Sequence, residues 1–223
     1  GHANIEMAIE SLKHGAFEFV EKPFDQVRLL NFISRAVENL NLKNQNKEYE
    51  TKLFSSYDLI GNSKNISSIR DQIEKISITD SRIFINGPSG SGKELIARKI
   101  HKKSRRKDKQ FVILNGALLD HNKYELELFG EEKKDGSISY GALEKANKGT
   151  LLIDHISEIP LEIQSKILRV LIDQKFKRIN GNNDIKVDVR LICSSNKDLK
   201  NEIVIGNFRE DLYHRINVFE IFI

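Results

Sequence analysis

The sequence has no tryptophan, one methionine, three prolines and one cysteine among its 223 residues. A lone thiol, Cys193, can form no internal disulfide, so packing and hydrogen bonding must hold the fold and a reducing compartment, the cytoplasm, is the expected setting. No apolar run approaches the ~20 residues that cross a bilayer. The opening "GHANIEMAIE" lacks the basic start and apolar core of a secretory signal, so no membrane partner is expected. The six histidines show no metal-ligand spacing, and no repeat of solenoid period is present. One-sided charge is missing too: 36 basic and 32 acidic residues leave a net +4, too little to argue for nucleic acid on its own.

What is present suits a soluble globular protein, with 39% hydrophobic and 30% charged residues and length for one large domain or a full domain plus part of another. Residues 4–14 read as a short amphipathic helix, "AFEFV" at 16–20 as a strand, and Lys22-Pro23-Phe24 as a turn. A longer helix is expected from Gln26 to about Tyr49, apolar at Val27, Leu30, Ile33, Val37 and Leu40. That face serves either to pair two chains or as the core of a preceding domain. Its second half turns polar, like a solvated linker, and a boundary is expected near residue 55. Beyond it, strands at 82–86, 111–114, 150–154 and 187–194 alternate with helices at 63–76, 93–103, 123–129 and 161–173. Strands separated by helices predict a parallel α/β sheet.

The sharpest chemical signal is "RIFINGPSGSGKELIARKIH". An apolar strand runs into Gly87, Pro88, Ser89, Gly90, Ser91, Gly92 and Lys93, and a helix follows. The spacing G-x-x-x-x-G-K is that of a phosphate-binding loop. Its glycines permit a tight turn whose N–H groups converge on an anion, and the helix adds its positive N-terminus. Lys93 supplies a charge for the outer phosphates. Glu94 stands where a Ser or Thr hydroxyl usually meets Mg²⁺, and a carboxylate can take that place directly or through water. About 60 residues on, "TLLID" ends in Asp154 at a strand tip, where a carboxylate would hold Mg²⁺ through water. The basic run "HKKSRRKDKQ" at 101–110 has no interleaved aromatics and reads as a solvated loop rather than a nucleic-acid patch. Cys193, in an apolar strand, reads as a small buried residue.

These segments occur in a familiar order. "GPSGSGKE", "NKGTLLIDHISEIP", "ILRVLIDQKFKRING", "VDVRLICSSNKDL" and "NFREDLYHRINV" resemble the bacterial enhancer-binding proteins, AAA+ ATPases that activate sigma-54 RNA polymerase. The first 40 residues are similar to the last third of a response-regulator receiver, which points to the NtrC class, and the segment after "ELFG" points to its NtrX-like branch. The resemblance implies a receiver fragment at 1–40, a helical linker at 41–57 and, at 58–223, an AAA+ three-layer α/β sandwich with a parallel sheet, the receiver being flavodoxin-like. It also implies ATP and Mg²⁺ as cofactors. Lys22 would contact the receiver's phosphoryl group. Ile60 and Gly61 would line the adenine pocket, Asn115 would be a switch residue bonded to a catalytic glutamate, and Asn196 would sense the γ-phosphate. Arg209 and Arg215 would be fingers reaching into a neighbouring subunit, which implies a dimer or a ring up to a hexamer. On residue chemistry alone the same two arginines could instead pair with Glu210 and Asp211 on a surface helix. Implied partners are a sensor histidine kinase, through the receiver, and sigma-54 RNA polymerase. The AAA+ lid and a DNA-binding helix-turn-helix would follow Ile223.

The sequence departs from that family at two chemical positions. His155 replaces the glutamate that primes water. An imidazole can accept a proton, but Mg²⁺ and Lys93 would oppose the cation it must become. Glu158 is the nearest spare carboxylate. The Gly-Ala-Phe-Thr-Gly-Ala loop that grips sigma-54 is replaced by a short charged segment with Gly136 and Gly141. The expected function is therefore an ATP-binding module of a transcription-controlling response regulator with weak hydrolysis. Two alternatives stand beside it: an active ring ATPase using His155 as base, and a non-hydrolysing DNA-bound oligomer. A small-molecule P-loop kinase fits the paired arginines and the receiver remnant poorly.

Overall fold

The computed structural model describes residues 27, 29–38, 40, 59–120 and 123–223. The expected helix at 4–14, the strand at 16–20 and Lys22 lie outside the described residues. The chain divides into two units, Gly1–Asp58 and Leu59–Ile223. In the first, the described residues between 27 and 40 are helical, and Val27, Leu30, Ile33, Val37 and Leu40 are each at least half exposed.

The second unit is built around a five-stranded sheet ordered β2-β5-β8-β1-β9, all of it parallel. These strands are β1 (Ile83–Asn86), β2 (Phe111–Asn115), β5 (Thr150–Asp154), β8 (Arg190–Ser195) and β9 (Phe219–Phe222). The helices are α1 (Lys64–Ser77), α2 (Lys93–Lys102), α3 (Tyr124–Phe129), α4 (Ala142–Lys145), α5 (Leu161–Asp173), α6 (Leu199–Val204) and α7 (Glu210–Ile216). Two short hairpins complete it, β3 (Gly130–Glu132) with β4 (Ile138–Tyr140) and β6 (Lys175–Phe176) with β7 (Ile185–Lys186).

The layering follows from the two-residue period of the strands. Ile83, Ile85, Leu152, Ile192 and Ile221 turn to one face and pack on Ile69, Ile73 and Ile76 of α1 and Ile96, Ala97 and Ile100 of α2. Their neighbours Phe84, Leu151, Ile153, Leu191 and Cys193 turn to the other face, against Ile163, Ile167 and Val170 of α5 and Leu212 and Ile216 of α7. Strands covered on both sides read as unbroken apolar runs, which is why "IFI", "LLI" and "LIC" show no alternation. Burying each such side chain stabilises the fold by about 1.5–3 kcal/mol. Cys193 is fully buried, as its place in the strand implied.

Arg190 is the largest fully buried side chain. Its guanidinium donates to the carbonyls of Ile76 (2.7 Å) and Ser77 (3.1 Å) at the C-terminus of α1, where orphan carbonyls and the helix dipole favour a cation. The expected strand at 187–194 begins instead at Arg190, because Ile185–Lys186 first pairs with β6 and Val187 bonds back to Gln174 O at 3.0 Å. In the basic run 101–110 most of the basic side chains are exposed, as expected of a solvated loop, and at least two of the run are paired. Lys103 pairs with Glu74, and Arg106, 14% exposed, bonds Asp80 at 3.0 Å and Asp188 at 2.7 Å.

Candidate functional site

Four of the five sheet strands, β1, β2, β5 and β8, end in polar residues. Asn86 lies opposite Ser195, and Asn115 opposite Asp154. An apolar strand that stops in a polar residue delivers that side chain to the sheet's C-terminal edge, where ligands of open α/β sheets bind.

Between β1 and α2 the chain makes the phosphate loop. Gly90 and Gly92 have φ of +77° and +93°, a region costing other residues about 1–2 kcal/mol. No atom lies within 4 Å of where a Cβ on Gly90 would project, so the loop is open on that side. Lys93 folds back across it, donating to the carbonyls of Gly87 (2.9 Å) and Pro88 (2.8 Å). The Ser91 hydroxyl is buried without a hydrogen-bond partner. A buried orphan hydroxyl beside a lysine spanning its own loop fits an anion that would satisfy both. Glu94 forms an i,i+4 pair with Arg98 at 2.7 Å and is 47% exposed.

Asp154 is held on two sides. Its Oδ1 accepts from the Ser194 hydroxyl and from the His155 backbone N–H at 3.1 Å. Its Oδ2 lies 3.1 Å from His155 Nδ1, which has no partner of hydrogen-bond geometry. The two side chains are 13% and 20% exposed. His155 adopts the left-handed conformation, φ 55° and ψ 49°, and its carbonyl sits 2.6 Å from where a Cβ on Gly116 would be. Only glycine lets the β2 loop approach β5 so closely. Among the described residues no group of three or more His, Cys, Asp or Glu could hold a metal by itself. A Mg²⁺ here would rest on Asp154 and Glu94 together with phosphate oxygens and water.

The remaining expected residues fall in two places. Asn115 is on the β2 tip, but its Oδ1 accepts from Ala117 N at 2.9 Å and not from residue 155. Asn196 follows β8 at the same edge and is exposed. Ile60 is 88% exposed, and Gly61 beside it is anchored by Arg70, which donates to Leu59 O (2.5 Å) and Gly61 O (2.7 Å). Glu158 is engaged by Lys197 at 2.9 Å and ends a 3₁₀ turn, Ile156–Glu158, rather than lying on the helix that follows. The arginines stand apart. Arg209 caps α7 and pairs with Asp211 at 2.7 Å, one of the two surface pairings that the residue types allowed. Arg215 reaches Leu171 O at 3.3 Å and lines a cavity near Arg82, which immediately precedes β1. That is the N-terminal end of the parallel strands, opposite the phosphate loop. Ser194 and Arg70 were not singled out from sequence. The only signal for Ser194 is the polar ending of the apolar run "LICSS".

A model of the sigma-54 interaction domain matches residues 59–222. The chain belongs to the sigma-54 interaction domain family. It is 45% identical over 219 residues to the nitrogen assimilation regulatory protein NtrX of Azorhizobium caulinodans, covering 98% of this chain and 48% of that protein. It is 41% identical over 224 residues to the regulatory protein AtoC of Escherichia coli, covering 97% and 49%. The crystal structure of NtrX from Brucella abortus matches with a TM-score of 0.80 at 42% identity, over 99% of this chain and 49% of that one. The same protein in complex with ATP matches at 0.75 and 43%, over 99% and 50%. The P-loop NTPase domain of an E. coli sigma-54 activator shares the fold, at 0.51 and 21% identity over 73% and 96%. The chain thus spans about half the length of the relatives it matches. In this sigma-54 interaction domain the two core layers, the parallel sheet and the phosphate loop agree with the resemblance. No described helix is long and apolar enough to cross a membrane.

Proposed function

We propose that this domain binds ATP with Mg²⁺ as the AAA+ module of an NtrX-like response regulator, and that it hydrolyses ATP slowly. One observation carries the nucleotide reading: Lys93 and the orphan Ser91 hydroxyl converge on an open glycine loop at the same sheet edge as Asp154. Lys93 would leave its two loop carbonyls for the outer phosphates. The loop N–H groups and the N-terminus of α2 would receive the phosphate oxygens. Asp154, oriented by Ser194, would hold the metal's water shell, and the metal would polarise the terminal phosphoryl group. Slow turnover rests on His155, which offers no carboxylate next to Asp154. Arg215 lies at the far end of the sheet from its own phosphate loop, which suits a residue serving a neighbouring copy. The β3–β4 hairpin carries Lys133, Lys134 and Asp135 in place of the Phe and Thr that grip sigma-54, so remodelling of the polymerase is not part of this reading. A receiver fragment at 1–40, a linker at 41–57, a sensor-kinase partner, cytoplasmic location and DNA contact through a further domain complete the proposal.

The test is an ATP titration by calorimetry, on this chain and on a longer chain that includes the expected lid. Charge-assisted hydrogen bonds contribute about 1.5–3 kcal/mol, so Lys93→Ala should weaken ATP by roughly 10- to 100-fold. Equal affinity of parent and variant, or no binding by either parent chain, would overturn the proposal.

A further inference from the structure

At the N-terminal ends of the strands lies a cavity of about 520 Å³. Its volume is within the ~300–1,000 Å³ range of small-molecule sites. Two kinds of charge line it. Asp80 and Asp188 are both committed to Arg106, at 3.0 and 2.7 Å. Among the described residues, Arg82 and Arg215 pair with no carboxylate. Arg215 makes one bond, to the Leu171 carbonyl, and Arg82, half-buried, makes no hydrogen bond or ion pair among the described residues. Burial, and then the charge of Arg215, push the Arg82 guanidinium below its ordinary value. Two cations line one cavity, Arg82 half-buried and Arg215 more exposed, and both nearby carboxylates are spent on a third, so the cavity carries a positive charge that an external anion would complement. The lining also includes the apolar side chains of Leu171, Ile172 and Val218.

We propose that this cavity is a binding site for a small organic anion, a phosphate or carboxylate held between Arg82 and Arg215 with its apolar body along Leu171, Ile172 and Val218. The site is separate from the phosphate loop and does not depend on the nucleotide reading. One consequence does depend on it: an occupied cavity would keep Arg215 within its own chain and away from a neighbour.

The experiment uses phenyl phosphate and hexanoate as probes, by calorimetry and thermal unfolding, on the whole chain carrying Lys93→Ala so that the phosphate loop does not respond. At least one probe should bind and raise the unfolding temperature, and which one does identifies the head group. Arg82→Gln and Arg215→Gln should each weaken that probe by about tenfold or more. Without ligand, Arg82→Gln should unfold at a higher temperature than its parent, because it removes a half-buried charge that the charge of Arg215 opposes. Binding by neither probe, or affinity unchanged in both glutamine variants, would overturn the proposal. So would a ligand-free Arg82→Gln chain less stable than its parent.

Discussion

Replacing His155 by glutamate restores a carboxylate beside Asp154, and the structure sets the size of two opposed effects. Nδ1 of the imidazole is 3.1 Å from Asp154 Oδ2, and both side chains are largely buried. A glutamate there places two carboxylates side by side. At about 4 Å their repulsion is ~1 kcal/mol in a water-like medium and ~4 kcal/mol at an effective dielectric of 20. His155 already holds the left-handed conformation, so exchanging one side chain for another leaves that backbone cost unchanged. His155→Glu should therefore be less stable than the parent without metal, by about 1–4 kcal/mol, and should regain more stability than the parent when Mg²⁺ and ATP are added. Its hydrolysis should rise, because a positioned general base contributes about 10²–10⁴-fold, or ~3–5 kcal/mol of barrier. The assay is steady-state phosphate release at saturating ATP and Mg²⁺, with thermal unfolding of both chains with and without the metal. A parent that already turns over as fast as the variant would show that histidine serves as the base. A variant that binds ATP as the parent does but gains no rate would show that His155 is not the block.

Other expectations test the scaffold. Arg190→Ala strands the α1 carbonyls of Ile76 and Ser77 and opens a cavity, and should cost about 3–5 kcal/mol in urea denaturation, with Arg190→Met recovering part of it. His101 is buried against Thr150 Oγ1 at 2.9 Å, and burial, only partly offset by a bond to the Lys109 carbonyl, holds its folded pKa below the ordinary 6.5. The unfolded chain then binds the extra proton first, so the contribution of His101 is complete above about pH 6.5 and is lost as pH falls through the lower folded value. A His101→Gln chain should show a flatter stability profile below that pH. Arg178 bonds Glu144 at 2.6 Å and Glu132 at 2.9 Å, pinning the β3–β4 hairpin, so Arg178→Ala should speed tryptic cleavage at Lys133 and Lys134 with little change in overall unfolding. Gly116→Ala would drive a Cβ to 2.6 Å from the His155 carbonyl and should cost about 1–3 kcal/mol and weaken nucleotide binding, as a thermal melt and an ATP titration would show.

Local sequence was enough wherever the physics is local. Apolar runs announced β1, β5 and most of β8, buried on both faces, and the half-buried edge strand β2, and the glycine spacing before Lys93 announced the anion loop, because tight turns and strand burial depend on residues next to one another. The fifth strand, β9, was not legible: "FEIF" is too short and mixed to stand out, and it is a strand only because β1 offers it an open edge. The hairpins were hidden for a similar reason. Their pairing is held by Arg178, Glu132 and Glu144, which are far apart in the chain. Tertiary structure alone decided how the site residues are spent. It gave Asp154 a hydroxyl from Ser194, turned Asn115 onto its own loop and engaged Glu158 with Lys197. It also left Arg82 and Arg215 lining one cavity with no carboxylate partner among the described residues. A strand or a phosphate loop is written in consecutive residues, but the partner of a charge is whatever the fold brings within a few ångströms, and no window of sequence contains that.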